Sequence, residues 1–110
     1  MVNKKTELVK EFIECLNREA FDDAQHYLYE GFVFEGVLGR REGAQVYIKE
    51  MKQLKLKYRI LQVFEAADAI CLWYTIDMAG KPVLASGWYH INNGQIHSLK
   101  VLFDPRPLLG

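Results

Sequence analysis

The 110 residues, half of them hydrophobic and a quarter charged, supply one compact domain spanning 1–110 and too little chain for a second. Fourteen Lys and Arg balance fourteen Asp and Glu, and this net zero charge speaks against nucleic acid or an anionic membrane as the main partner. Disorder is excluded as well, because a chain this apolar buries about two-thirds of its surface on folding and so offsets its conformational entropy.

In chain order, Leu8, Val9, Phe12, Ile13 and Leu16 form the apolar stripe of an amphipathic helix from Asn3 to Asn17, with Asn3 as its N-cap. A second helix is expected from Asp22 to Tyr29, with Asp22 and Gln25 spaced as a capping box and Gly31 ending it. Phe32 to Glu35 alternates as a short strand that stops at Gly36 and sets Glu35 on the side of Val33. The stretch Gly39-Arg40-Arg41-Glu42-Gly43 reads as a turn into a third helix, whose inner face carries Ala44, Tyr47, Ile48 and Met51. Beyond Leu54 the period is two, and turn signals at Ala67-Asp68, Ala79-Gly80 and Asn93-Gly94 divide four antiparallel strands at about 56–66, 69–78, 82–91 and 95–103. Helices followed by a meander make an α+β domain: three N-terminal helices on a strongly curved, mainly antiparallel sheet.

The last hairpin assigns the faces. A two-residue Asn93-Gly94 turn would set Tyr89 against Ser98 and mix polar with apolar side chains on both faces. A three-residue Asn92-Asn93-Gly94 loop sets Tyr89 against His97 and Gly87 against Leu99, and is the expected register. One face then gathers Val83, Ala85, Gly87, Tyr89, Ile91, His97, Leu99, Val101 and Phe103 under the helices, with Tyr74 beside them from the preceding strand. The opposite face carries Trp73, Trp88 and Leu102, more apolar area than a monomer normally exposes, so a homodimer through this face is expected.

The start of the chain, Met1 to Glu7, is followed by no apolar run, so neither a signal peptide nor a membrane span is read and the expected location is cytoplasmic. Cys15 and Cys71 lack ligand spacing and are expected as two buried thiols. Metal-ligand spacing, a phosphate loop and a nucleophile elbow are all absent from the sequence, and neither metal nor cofactor is expected. The basic run Lys49, Lys52, Lys55, Lys57 and Arg59 reads as a solvated face.

The chain resembles the nuclear transport factor 2-like superfamily, and its SnoaL-like members in particular. The resemblance rests on Phe21-Asp22-Asp23-Ala24 through Tyr27-Leu28, Phe32-Val33-Phe34-Glu35-Gly36, Gly39 to Ala44, and Trp88 to Ile96 leading to Leu102-Phe103-Asp104-Pro105. It implies a cone, a sheet wrapped round a long first helix with an apolar pocket between them, and often a dimer through the outer sheet face. Members include ketosteroid isomerases, polyketide cyclases, dehydratases and epoxide hydrolases, beside proteins that only bind or assemble, so the fold alone does not decide activity.

Glu35 is similar in position to the carboxylate base of the isomerases, and in an aromatic cavity its pKa would rise toward neutrality. The alternative is a strand-end glutamate in water or paired with Arg40 or Arg41. The isomerases' oxyanion-hole tyrosine corresponds to Phe12, which cannot donate a hydrogen bond, and the last-strand carboxylate of the cyclases and epoxide hydrolases falls near Val101. Tyr47, Tyr58, Tyr74 and Tyr89, with Phe12, Leu99, Val101 and Phe103, are the expected lining of the pocket, and His97 is a second candidate acid or base. Asp104 is expected to close the last strand against Arg106.

Three functions follow: an apolar small-molecule pocket with proton-transfer chemistry using Glu35, a pocket for a small apolar or aromatic ligand without chemistry, or a homodimeric assembly module. Whether the protein is an enzyme stays open at the level of sequence.

Overall fold

The structure, a computed structural model, describes residues 4–37 and 39–109, so the expected Asn3 cap lies outside the described residues. Helix α1 (Lys4–Asn17) is followed by α2 (Phe21–His26), β1 (Leu28–Gly36), β2 (Gly39–Glu42), α3 (Ala44–Leu54), β3 (Lys57–Glu65), β4 (Ala69–Met78), β5 (Lys81–Asn92), β6 (Gln95–Phe103) and a short α4 (Arg106–Leu109). The strands form one six-stranded sheet in the order β2-β1-β6-β5-β4-β3. Its pairs are antiparallel except β1 with β6. The sheet curls round the helices into a cone-shaped α+β roll. Among the described residues no helix is long and apolar enough to cross a membrane.

The apolar stripe of α1 is buried as expected, with Val9, Phe12, Ile13 and Leu16 in the core against the inner sheet face. Two side chains tie the same helix to the edge strand β3. Thr6 Oγ1 donates to Glu65 Oε1 at 2.7 Å. The amide of Asn17 takes the Tyr58 N–H at 2.7 Å and donates to the Tyr58 carbonyl at 2.9 Å. That two-way bond stands in for a neighbouring strand and covers an edge that would otherwise offer unpaired backbone.

Three local readings are corrected. Helix α2 ends at His26 with no side-chain cap, and Leu28, already buried, begins β1, so the backbone enters the sheet where helical periodicity would have continued. The expected turn at 39–43 is instead the edge strand β2, antiparallel to β1. Four residues are too short for alternation to show, and pairing with β1 supplies the order. Cys71 is only partly buried, on the outer face with its thiol 3.5 Å from Ser86 Oγ, whereas Cys15 is in the core.

The hairpin register also differs from expectation, and the difference explains the faces. Asn92 pairs with Gln95 across a two-residue turn whose central residues Asn93 and Gly94 both have positive φ (50° and 72°), the primed geometry that matches strand twist. One step further the register shifts between His90 and Ile91, and His97 is the extra residue on β6. Beyond this bulge Tyr89 pairs with Leu99, Gly87 with Val101 and Ala85 with Phe103, which restores the apolar inner face. His97 is the one member of the expected inner face that the bulge removes. A second bulge lies at Leu61 on β3, and β1 is irregular between Leu28 and Val33. Such bulges bend the strands that carry them, and here they curl the sheet.

Gly87 is the tightest point of the inner face. A Cβ there would lie 2.2 Å from the Tyr74 hydroxyl and 2.9 Å from Tyr89 Cε1, so only glycine lets the Tyr74 phenol lie against β5. Gly87→Ala is expected to lower unfolding stability by about 1–3 kcal/mol in a denaturant titration. Adding Tyr74→Phe should recover part of that loss, and an unchanged midpoint in Gly87→Ala would contradict the packing described.

Candidate functional site

A cavity of about 300 Å³ opens between α3, the inner sheet face and the β1–β2 hairpin. Its interior is formed by Tyr47 and Met51 from α3, Tyr58 from β3, Tyr74 and Ile76 from β4, and Leu99 and Val101 from β6, with Phe34 and Phe103 as walls. Val37, Gly39, Leu54, Ala79 and Leu108, all exposed, form the mouth. The helix spacing 47, 51, 54 points one stripe of α3 at the space. Leu108 reaches it from α4, which is held by Arg106 on the Asp104 carboxylate (2.7 Å) and by Lys81 Nζ on the Pro107 carbonyl (3.0 Å).

The polar groups of the cavity are few. Tyr74 and Tyr89 share a hydroxyl–hydroxyl bond of 2.9 Å, and the Tyr58 hydroxyl donates to Met51 Sδ at 3.8 Å. The rings of Tyr58 and Tyr74 lie with centroids 5.4 Å apart, and Tyr47 packs on Phe32 and Phe34 at 5.0 and 5.2 Å. Toward the mouth, Arg41 Nε donates to Glu50 Oε2 at 2.7 Å, and Arg41 Nη1 donates to the Arg40 carbonyl at 2.9 Å. Burial pushes the phenols of Tyr47, Tyr58, Tyr74 and Tyr89 well above the ordinary tyrosine value, so all four are neutral near pH 7. The arrangement offers apolar walls, neutral phenols and one compensated ion pair. Among the described residues no group of three or more His, Cys, Asp or Glu side chains is placed to hold a metal ion.

Of the expected pocket residues, the cavity brings together Tyr47, Tyr58, Tyr74, Leu99, Val101 and Phe103. Phe12 and Tyr89 stand behind it, fully buried and packed edge to face at 6.4 Å. Glu35 is outside. Its neighbours Phe34 and Gly36 take the cavity side of β1, and Glu35 is exposed on the outer side, in register with Arg40 of β2 and Lys100 of β6. Apolar Phe34 wins the inward position because alternation allows only one of the two to face the aromatic interior. His97, expelled by its bulge, stacks on exposed Tyr29 at 4.1 Å and 7° between planes, away from Tyr74 and the cavity.

Arg41 and Glu50 were not singled out from the sequence. Arg41 lies in the stretch expected as a turn, and Glu50 shares the helical stripe 47, 50, 51, 54 that meets the cavity, although the expected inner face of that helix does not include it. Asp104 is bound by Arg106, which lowers its pKa through hydrogen bonds, and lies outside the cavity lining.

The buried phenols make stability fall in alkali. Below the ordinary tyrosine pKa of about 10, folded and unfolded chains both carry neutral phenols and stability is complete. Above it the unfolded chain ionises first, so stability is lost as pH rises through the raised folded values. The denaturant midpoint is expected to drop steeply between about pH 9 and 11, with phenolate absorbance from the buried rings appearing only as the chain unfolds. Phenolate absorbance from all the tyrosines while the fold is intact would contradict this.

No protein-family model matches the chain, and no curated protein matches it in sequence. Among solved structures it is similar to an NTF2-like protein of unknown function from Cytophaga hutchinsonii, with TM-score 0.93 and 44% identity over 100% of this chain and 97% of that one. It shares its fold with an LEH-like epoxide hydrolase of M. tuberculosis (TM-score 0.82, 19% identity, 94% of this chain and 84% of that one). It shares it also with a de novo designed protein with a curved β-sheet (TM-score 0.83, 18% identity, 96% and 90%). Identity of 44% along the entire length, on the same cone, makes the chain a member of the NTF2-like family.

Proposed function

We propose that the protein binds a small apolar or aromatic molecule in the cavity between α3 and the sheet. The carrying observation is the space itself: about 300 Å³ with almost wholly apolar walls, at the lower end of the range for ligand pockets, about 300–1,000 Å³. The rings best placed to close such a space do not fill it, since Phe12 is packed into the core and Phe34 and Phe103 stand as walls. Proton transfer by Glu35 is not carried forward, because its carboxylate is exposed outside the cavity. The fold neighbours include both an epoxide hydrolase and a designed protein, so the fold favours neither catalysis nor binding.

The test uses N-phenyl-1-naphthylamine, a neutral aromatic dye that fluoresces in apolar surroundings. One saturable site per chain is expected, and Val101→Trp, which places an indole in the cavity, should weaken it by at least about tenfold, or about 1.4 kcal/mol. Absence of saturable binding, or equal binding by the filled variant, would remove the reading.

A second reading concerns the outer face of the sheet and is compatible with the first. Trp73, Trp88 and Leu102 are 43%, 54% and 72% exposed. Trp73, Ser86 and Leu102 lie in one row across β4, β5 and β6, with Trp88 in the adjacent row under the Lys100 ammonium, 5.8 Å from the ring. Exposed large apolar side chains gathered on one sheet face of a chain with no net charge favour pairing with a second copy. Sedimentation at micromolar concentration is expected to give a dimer, and Trp88→Glu a monomer of unchanged fold; a monomeric parent protein would refute it.

A further inference from the structure

The cavity is lined by one charged group of each sign, Arg41 and Glu50, and among the described residues no other Asp, Glu, His, Lys or Arg reaches it. Strand alternation brings Arg41 there. Arg40 and Glu42 take the outer side of β2 and pair with each other at 3.1 Å, while Arg41 lies opposite Phe34 on the cavity side. Glu50 follows Tyr47 by three residues on α3, so the two share a helix face. Arg41 and Glu50 meet through a single hydrogen bond, Nε to Oε2 at 2.7 Å, and Arg41 Nη1 donates to the Arg40 carbonyl at 2.9 Å. Their side chains are 41% and 30% exposed, which sets this polar pair at the mouth with the apolar walls deeper.

The single bond leaves hydrogen-bonding capacity on both partners. The Nη2 donors of Arg41 and the Oε1 acceptor of Glu50 have no partner among the described residues. Charge is another matter, because the two groups offset each other. An anionic ligand group beside Arg41 would meet Glu50, and a cationic one beside Glu50 would meet Arg41. An uncharged group that both accepts and donates has no such conflict, since it takes an N–H from Arg41 and gives one to Glu50 while the ion pair stays whole. A primary carboxamide carries its acceptor and its donors on separate atoms of one plane and so can meet both side chains together. An ester or ketone would leave Glu50 Oε1 without a donor.

We infer that the ligand of this cavity is an uncharged molecule with an apolar or aromatic body and a primary carboxamide at its mouth end, whose carbonyl accepts from Arg41 and whose N–H donates to Glu50. This rests on the small-molecule reading above and deepens it by fixing the charge and the head group of the ligand. Arg41 and Glu50 are then the residues that determine specificity.

Three naphthalene probes test this: 2-naphthamide, N,N-dimethyl-2-naphthamide, which keeps the carbonyl but lacks the N–H donors, and 2-naphthoate, which is an anion. The parent protein is expected to bind 2-naphthamide about tenfold more tightly than either of the others. In Glu50→Leu the preference for the primary amide should disappear, and 2-naphthoate should gain about tenfold because Arg41 then has no competing carboxylate. Equal binding of the two amides by the parent protein overturns the proposal without any variant. Binding of 2-naphthoate by the parent as tightly as 2-naphthamide overturns it too. A preference that persists in folded Glu50→Leu does the same, since it would report the bulk of the methyl groups and not the missing donors. If N-phenyl-1-naphthylamine binds and none of the three probes does, the head group falls and the cavity reading stands; if the dye fails as well, the cavity reading itself falls.

Discussion

The pairing of β5 with β6 decides which side chains meet the helices, and that pairing turns on one inserted residue. With the two-residue turn at Asn93-Gly94 and no bulge, Tyr89 would oppose Ser98, and Leu99, Val101 and Phe103 would all face outward. Placing His97 outside the ladder moves the rest of β6 by one residue and returns those three side chains to the interior. The core against α1, the back wall of the cavity and the apolar patch on the outer face all depend on that shift.

The curl that follows leaves a space the helices do not fill. α1 is pinned at Thr6 and Asn17 to the edge strand β3, so its stripe fills the middle of the cone with Phe12 and its neighbours. α3 covers the other part, and the cavity opens beside it. Apart from the Arg41–Glu50 pair toward the mouth, the polar side chains that border the space are phenols. This is consistent with the energetics of burial: a neutral hydroxyl is satisfied by one bond to another hydroxyl, whereas a lone carboxylate in the same surroundings would need a charge partner. Glu50 has such a partner in Arg41 and lies toward the solvent-reaching end, and Glu35 is turned out altogether.

Much of this was legible in the residues. The stripes of α1 and α3, the limits of the four long strands and the separation of Tyr74, Leu99 and Val101 from Trp73, Trp88 and Leu102 all follow from periodicity, because one face of each element must leave water. What periodicity could not show is where the period breaks. The bulge at His97, the irregular start of β1 and the four-residue β2 are consequences of pairing, and pairing is an interaction between distant segments. The same limit hid Arg41, whose inward position exists only once β2 is recognised as a strand. It also misdirected Glu35, since in a strand this short either alternate set could have been the inner one.

By itself, then, the sequence determined an α+β domain with helices over one face of a sheet and an aromatic interior, since these depend on how many apolar residues there are and at what spacing they recur, while the cone entered only through the family resemblance. Only the tertiary structure decided which of those aromatics remain around a free space and which close it. That outcome depends on the bulges that bend the sheet and on the absence of a side chain at Gly87, through which Tyr74 gains its place. Volume left over between packed elements is a difference between large quantities, and no single segment of the chain carries it.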